Sequence, residues 1–269
     1  MSLKVRPHAP DARGVVLDIT PESAGWRHVG FTVVWLEEGQ VYEGLHESRE
    51  ACLVILSGFA DVDSAEQRFE MIGRRLSVFE DVAPAAVYSP AGASYRVTAR
   101  SRVELAVCTA RGKPGQAPRL IDPALMTREI RGTGTNQRFV RNILPEDEPA
   151  DSLLVVEVVT PAGHWSSYPP HKHDTASPGE ETALEETYYH RLDPPQGFAF
   201  QRVYTDDRSI DEAVTVEDGD VVMVPRGYHP AAAAHGYDLY YLNVMAGPNR
   251  RWIFRNDPAH AWIARKQSA

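Results

Sequence analysis

An all-β fold made of two fused β-barrels is the architecture this sequence predicts. Three observations lead there: many short strand-like runs separated by turn residues, weak helical periodicity, and a faint internal duplication. A length of 269 residues accommodates two moderate domains. A hydrophobic share of 43% against 24% charged is enough to give each a proper core.

Along the chain the first runs are FTVVWLEEG (31–39), ACLVILSG (51–58), DVAPAAVYSP (81–90), YRVTARS (95–101) and VELAVCTA (103–110). They are rich in Val, Tyr, Phe and Thr, which fit a pleated, half-buried surface, and turn residues bound them. RGKPGQAPRLIDP and REIRGTGTNQ, between about 112 and 140, read as a loop-like join. Five further runs follow: LLVVEVVTP (153–161), ETYYHRL (186–192), FAFQRVYT (198–205), AVTVEDGDVVMVPRG (213–227) and YDLYYLNVMAG (237–247). Only 209–213 and 258–265 carry a helical signal. CLVILSGFADVD and the later DVAPAAVYSPAGASYRVTA have counterparts in ETYYHRLDPPQGFAF and VTVEDGDVVMVPRGYHPAAA. Each pair is a strand, a hairpin and a strand ending in Pro-x-Gly. The expected division is residues 1–125 for an N-terminal barrel and 126–269 for a C-terminal one.

The net charge of -9 argues against nucleic acid, whose phosphates need a basic face. It leaves room for a small anion held by a local Arg cluster. Cys52 and Cys108, the only cysteines, lie among apolar neighbours and read as buried thiols, so a four-thiolate zinc site is ruled out. No basic start with an apolar stretch resembles a signal peptide, and no apolar run approaches a membrane span. The expected setting is cytoplasmic, with no membrane partner. Exposed strand edges pair readily, so a homo-oligomer is expected.

The chemistry-bearing stretch is SYPPHKHD (167–174). Residues i and i+2 of a strand share a face, so His171 and His173 point one way and Lys172 the other. Two imidazoles on one face can hold a divalent metal. A third ligand should be acidic. Glu185 and Glu186 compete, and parity groups Glu186 with Tyr188 and His190. The fourth is His229 in GDVVMVPRGYHP, aimed by the bend at Pro225 and Gly227. Three His and one Glu leave one or two coordination positions open for chemistry.

These residues resemble the two signature motifs of the cupin superfamily, whose fold is a double-stranded β-helix. The resemblance implies a bicupin. Two features depart from the pattern: a long gap between His173 and the Glu, and a final His one residue early. In the first half Pro90 and Gly92 keep the bend, but no His follows and His46 stands without matching ligands, so that barrel is read as degenerate and metal-free. TPESAGWRHVGF (20–31), YPPHKHD (168–174), residues 184–213, VPRGYHP (224–230) and residues 240–263 resemble the 5-deoxy-glucuronate isomerase family of myo-inositol catabolism over nearly the whole chain. That family is similar to the 4-deoxy-L-threo-5-hexosulose-uronate ketol-isomerases, which bind zinc through His-x-His, a Glu opening a Glu-x-Tyr run, and a distant His. The resemblance therefore favours Glu186 over Glu185. It implies an aldose–ketose isomerase, converting 5-deoxy-D-glucuronate to 5-dehydro-2-deoxy-D-gluconate.

Such a reaction passes through an enediol, stabilised here by a divalent ion: Zn²⁺ first, with Mn²⁺ or Fe²⁺ compatible with the same ligands. Glu186, Tyr188 and His190 are the candidates for moving the proton. The substrate carboxylate calls for an arginine. Arg202 heads those candidates, with Gln201 opposite it on the strand, followed by Arg141 and Arg226; Arg250, Arg251 and Arg255 are further possibilities. Two other readings compete: an Fe(II)-dependent cupin dioxygenase on the same ligands, and a non-catalytic sugar-binding bicupin.

Overall fold

The computed structural model describes residues 2–266, and strands dominate it. The residues group into an N-terminal unit, 7–127 with 142–155, and a C-terminal unit, 2–6 and 128–141 with 156–266. The sequence divides the chain once, after residue 125. Two segments instead belong to the unit opposite to their place in the chain, for identifiable reasons. Residues 2–6 carry β1 (Lys4–Val5), which pairs antiparallel with Val221 and Val222. The segment 142–155 is held by Glu50, a fully buried carboxylate. It accepts hydrogen bonds from the backbone N–H groups of Asp151, Ser152 and Leu153 at 2.7, 2.6 and 2.7 Å, and from the Tyr88 hydroxyl at 2.7 Å. A charge with no access to water needs this many donors.

In the N-terminal unit the first sheet runs β11 (Arg119–Ile121), β8 (Ala85–Ser89), β5 (Arg49–Ser57), β10 (Val103–Arg111), β3 (Gly30–Leu36) and β2 (Val15–Ile19). The second runs β4 (Val41–Leu45), β9 (Ser94–Ala99), β6 (Ala60–Ser64) and β7 (Gln67–Ile72). Alternation decides what enters the core. In β9, Tyr95, Val97 and Ala99 are buried while Ser94 and Arg96 face water. Inward residues of both sheets meet in one hydrophobic cluster that includes Val34, Leu53, Val62, Val97 and Val107.

In the C-terminal unit the first sheet runs β1, β22 (Val221–Val224), β19 (Glu185–Asp193), β24 (Asp238–Ala246), β14 (Leu154–Thr160), β13 (Arg138–Leu144) and β12 (Arg128–Arg131). The second runs β15 (Trp165–Ser166), β23 (Ala231–Ala233), β20 (Ala199–Tyr204) and β21 (Asp211–Val216). Two ribbons complete the unit: β16 (His171–Lys172) with β25 (Arg255–Asn256), and β17 (Asp174–Ser177) with β18 (Glu181–Ala183).

The two units share one strand plan. Strand β5 lies between β8 and β10 as β19 lies between β22 and β24. Strands β3 and β2 continue the first sheet as β14 and β13 do. The order β4-β9-β6-β7 is matched by β15-β23-β20-β21. After β8 comes Pro90-Ala91-Gly92, and after β22 comes Pro225-Arg226-Gly227, with positive φ at Gly92 and Gly227. At Gly227 a Cβ would also meet the Tyr204 carbonyl oxygen at 2.5 Å.

Helix is confined to short pieces. One turn, α1 (Pro21–Ala24), starts at a capping box between Thr20 and Ser23, and α2 (Trp262–Lys266) overlaps the C-terminal half of the expected 258–265 stretch. The other helical signal, 209–213, is a turn that runs into β21. Among the described residues no helix is long and apolar enough to cross a membrane.

Candidate metal centre

His171 is placed by β16, pairing with Asn256, and His173 follows two residues later. Glu186 is the second residue of β19, paired with Val224 on one side and Met245 on the other. His229 leaves the Pro225–Gly227 bend. Separated along the chain, the three histidines come together: one nitrogen from each lies within 4.8 Å of the others. Glu186 Oε2 stands 3.0 Å from His173 Nε2 and 3.2 Å from His229 Nε2. All four side chains are buried.

The protonation pattern fits a cation. His229 Nδ1 donates to the Gly227 carbonyl at 2.8 Å, so its proton sits there and Nε2 presents a lone pair. That lone pair confronts Glu186 Oε2, another acceptor, and Nε2 is buried without a hydrogen-bonding partner. Two acceptors aimed into one dry space are stabilised by positive charge there. His173 contacts the Leu184 carbonyl through Nδ1 at 3.3 Å and Glu186 through Nε2. Burial disfavours its charged form, but the Glu186 carboxylate outweighs this and raises its pKa. Burial lowers His229 to about 4. His171 is depressed well below its ordinary value by burial, then by His229 and His173. The uncharged imidazoles of His171 and His229, with His173 drawn to the Glu186 carboxylate, form a donor set that fits a divalent ion.

The ligand-bearing segments are tied together behind the site. Asp174 Oδ2 accepts from Gly227 N–H at 2.9 Å, and Lys172 Nζ binds Asp174 at 2.9 Å and Asp206 at 2.8 Å. The Tyr228 hydroxyl donates to Asp206 at 2.9 Å. Lys172 thus turns away from the cluster, as alternation requires, and helps fix the bend that carries His229.

The profile of the KduI/IolB family matches residues 3–263. The chain belongs to that family. It is 54% identical over 267 residues to the 5-deoxy-glucuronate isomerase of Geobacillus kaustophilus (strain HTA426), covering 99% of this chain and 97% of the relative. With the protein of the same name from Bacillus subtilis (strain 168) it shares 49% over 250 residues, 93% of this chain and 92% of that one. The crystal structure of an IolB-like protein from Salmonella typhimurium LT2 superposes with a TM-score of 0.95 at 52% identity, covering 98% of this chain and 100% of that one. Oxalate decarboxylase from Lactobacillus farciminis superposes at 0.65 with 13% identity, over 95% of this chain and 88% of its own. That likeness is one of fold alone, and the fold is cupin-like.

In this KduI/IolB chain a cavity of about 450 Å³ reaches the cluster at His171 and is also lined by Arg138, Tyr188, Tyr241, Asn243 and Trp252. The expected proton-handling groups separate here. Tyr188 lines the cavity; its hydroxyl meets Ser167 Oγ at 2.9 Å, and burial, then the Glu186 charge, push its pKa far up, so it stays a phenol. His190 does not line it. Its Nε2 lies 3.0 Å from Gln201 Oε1, its Nδ1 is buried without a hydrogen-bonding partner, and burial lowers its pKa to about 4, so it is a core histidine rather than a base open to substrate. Glu185 occupies the opposite face of β19 and is half-buried.

The expected arginines lie elsewhere. Arg202 points outward and forks onto Asp211 at 2.8 and 2.9 Å, while Gln201 takes the inward place. Arg226 is exposed and donates to Ser209. Arg141 pairs with the buried Glu157 at 3.4 Å, outside the cavity lining. Arg250, Arg251 and Arg255 do not line it either. Two other arginines line the cavity: Arg131, which is paired with Glu129 at 2.9 Å, and Arg138, the first residue of β13. Arg138 donates to the carbonyls of Asn136 and Tyr168 at 3.1 and 3.3 Å and has no carboxylate partner among the described residues. The sequence alone leaves two faces open on this strand. Val140 shares the parity of Arg138, and Phe139 shares that of Arg141; because it is Val140 that is buried, Arg138 takes the cavity side.

Proposed function

We propose that the protein is a metal-dependent sugar-acid isomerase, interconverting 5-deoxy-D-glucuronate and 5-dehydro-2-deoxy-D-gluconate on a C-terminal cupin barrel, with a second barrel of the same double-stranded β-helix type at the N-terminus. The carrying observation is that three buried imidazoles and a carboxylate converge in a cluster that a cavity reaches at His171, and that this cavity also presents an arginine with no carboxylate partner. The names of the relatives supply the substrate and the reaction class.

His171, His173, His229 and Glu186 are the residues that hold the ion. A bound divalent cation supplies Lewis-acid stabilisation of the negative charge that develops on a carbonyl oxygen during enolisation. Arg138 binds the substrate carboxylate. Burial disfavours its charged form, and a carboxylate ligand offsets that disfavour, so binding and pairing reinforce each other. Tyr188 keeps its proton and donates a hydrogen bond to a substrate oxygen, held in line by Ser167. Asn243 and Tyr241 add polar contacts for hydroxyl groups along the same wall.

An anaerobic assay of metal-stripped protein with 5-deoxy-glucuronate tests this reading. No product is expected until a single divalent ion is restored, and no oxygen should be consumed. Product from the stripped protein defeats metal dependence. Turnover that requires oxygen favours the dioxygenase instead.

A further inference from the structure

The shared strand plan extends to the cavities. In the C-terminal unit the cavity draws on β13, β14, β19 and β24, through Arg138, Val158, Tyr188 and Asn243. The N-terminal unit holds a cavity of about 510 Å³ lined from the matching strands β2, β3, β5 and β10, through Asp18, Thr32, Arg49 and Thr109. Both volumes fall within the range of roughly 300–1,000 Å³ that small-molecule sites occupy.

We propose that the N-terminal cavity is a metal-independent binding site for a neutral polyhydroxylated small molecule, a sugar or polyol. This goes beyond the isomerase reading and does not depend on it. The residues matched to Glu186, Tyr188 and His190 are Ala51, Leu53 and Ile55, so no ligand stands at those positions. Among the described residues the one group of three or more metal-ligating side chains is in the C-terminal unit. The rim, in contrast, is polar and held in place. Arg49 donates through Nε to Thr109 Oγ1 at 3.2 Å and through Nη2 to the carbonyls of His28 and Thr109 at 2.7 and 2.9 Å, which fixes its plane. Gly30 makes this possible: a Cβ there would stand 2.5 Å from Thr109 Oγ1 and 3.1 Å from Arg49 Nη2. Across the cavity, His46 Nε2 lies 3.2 Å from the Tyr95 hydroxyl, and Tyr95 leans against Gly44, where a Cβ would meet its hydroxyl at 2.2 Å.

The chemistry of the ligand follows from charge and from hydrogen-bond capacity. Arg13 and Arg49 face Asp18 and Glu22 on the lining, and the third carboxylate there, Glu43, is paired with Arg96, so neither an anion nor a cation is selected overall. Burial, and then the Arg49 charge, lower the His46 pKa, while burial raises that of Tyr95, so the pair is uncharged at neutral pH. With the phenol donating to Nε2, the imidazole keeps Nδ1–H to give and the phenol oxygen keeps lone pairs to accept. Asp18 already accepts from Thr32 at 2.6 Å and has further acceptor capacity. Fixed donors and acceptors in balance suit hydroxyl groups, each of which both gives and takes a hydrogen bond.

Calorimetric titration of the full chain with D-glucose, D-glucuronate and D-glucosamine is the test. Saturable D-glucose binding is expected, about tenfold tighter than for either charged sugar. It should persist in His171→Ala, where the C-terminal cluster is broken, and weaken about tenfold in both His46→Leu and Asp18→Ala. Asp18 is exposed, so its variant keeps the test open if His46→Leu misfolds. The proposal is overturned if D-glucose shows no saturable binding up to ~100 mM, if binding disappears in His171→Ala, or if it is unmoved by Asp18→Ala. Tighter binding of either charged sugar overturns the ligand class.

Discussion

In the N-terminal unit the inward residues of β5 are Ala51, Leu53 and Ile55; in the C-terminal unit those of β19 are Glu186, Tyr188 and His190. The match is fixed by hydrogen-bond register. Ala51 pairs with Ser89, the residue before Pro90, and Glu186 pairs with Val224, the residue before Pro225. On the next strand Leu53 and Ile55 face Val107 and Leu105, where Tyr188 and His190 face Asn243 and Tyr241. Tyr95 takes the position of His229, each four residues before the alanine that pairs with the first residue of the neighbouring strand, Ala99 with Ala60 and Ala233 with Ala199. One backbone plan therefore carries two interiors. The apolar one joins a hydrophobic cluster and needs no further partners. The polar one must find partners group by group: Tyr188 and Tyr241 in Ser167 and Ser166, His190 Nε2 in Gln201. The nitrogen and carboxylate atoms left facing each other are those proposed to hold the ion. The strand plan sets the fold, and a few inward positions set the chemistry.

The sharpest way to break this contrast is to give the C-terminal unit the N-terminal residue. Glu186→Ala should lower kcat/KM for 5-deoxy-glucuronate by about 10³-fold, with loss of bound metal by elemental analysis. The chain should still fold, because the matched alanine is accommodated by the same plan. Retained metal and activity in that variant would remove Glu186 from the site. The converse exchange, Ala51→Glu, puts a carboxylate into an apolar cluster without a partner. It should destabilise the N-terminal unit by about 3–5 kcal/mol, read from denaturant midpoints, or force the new carboxyl to bind a proton at neutral pH.

The contrast also explains what the sequence could and could not disclose. His171, His173 and His229 were legible because strand alternation and a Pro-x-Gly bend are local rules, and parity with a Glu-x-Tyr run picked Glu186. The duplication was legible because turn residues recur at matched places. The exchange of residues 2–6 and 142–155 was not, because β1 pairing and the Glu50 hydrogen bonds join residues about two hundred and one hundred positions apart. From sequence Arg202 is a candidate inward residue because an arginine in a barrel strand next to a glutamine has two possible faces. Only the register with Ala231 and Val214 puts Gln201 inside and frees Arg202 for Asp211.

Arg138 sharpens the comparison on the ligand side. The C-terminal cavity has an arginine with no carboxylate partner, whereas carboxylates balance arginines on the lining of the N-terminal one. Arg138→Met should raise KM for the sugar acid by about 100-fold, the loss of a charge-assisted contact, with a smaller fall in kcat. Arg202→Met, which breaks only an exposed ion pair with Asp211, should change either constant by less than about twofold. Equal effects from the two substitutions would show that the carboxylate is bound elsewhere.

The smallest expected difference lies on the outer faces of the matched strands β6 and β20. Ala60 corresponds to Ala199, so Asp61 corresponds to Phe200. Phe200 is half exposed and packs edge-on to Phe198, an apolar surface with no titrating group. Asp61 is buried beneath Arg100 and Arg68, and accepts from the Met71 N–H at 2.8 Å. The Arg100 hydrogen bond, reinforced by Met71 and Arg68, lowers its pKa to about 2. The folded value lies below the unfolded one of about 4, so the carboxylate's contribution is complete above that pH and is lost as pH falls toward 2. Both arginines are partly exposed, and screening by water reduces the contribution to about 1–2 kcal/mol. Asp61→Asn should therefore be less stable than the wild type by that amount at pH 6, with the gap closing between pH ~4 and ~2. Phe200→Ser should show a difference that does not vary over the same window. A pH-independent Asp61→Asn difference would mean that the carboxylate's charge contributes nothing to the outer face of β6, and that shape alone distinguishes it from β20.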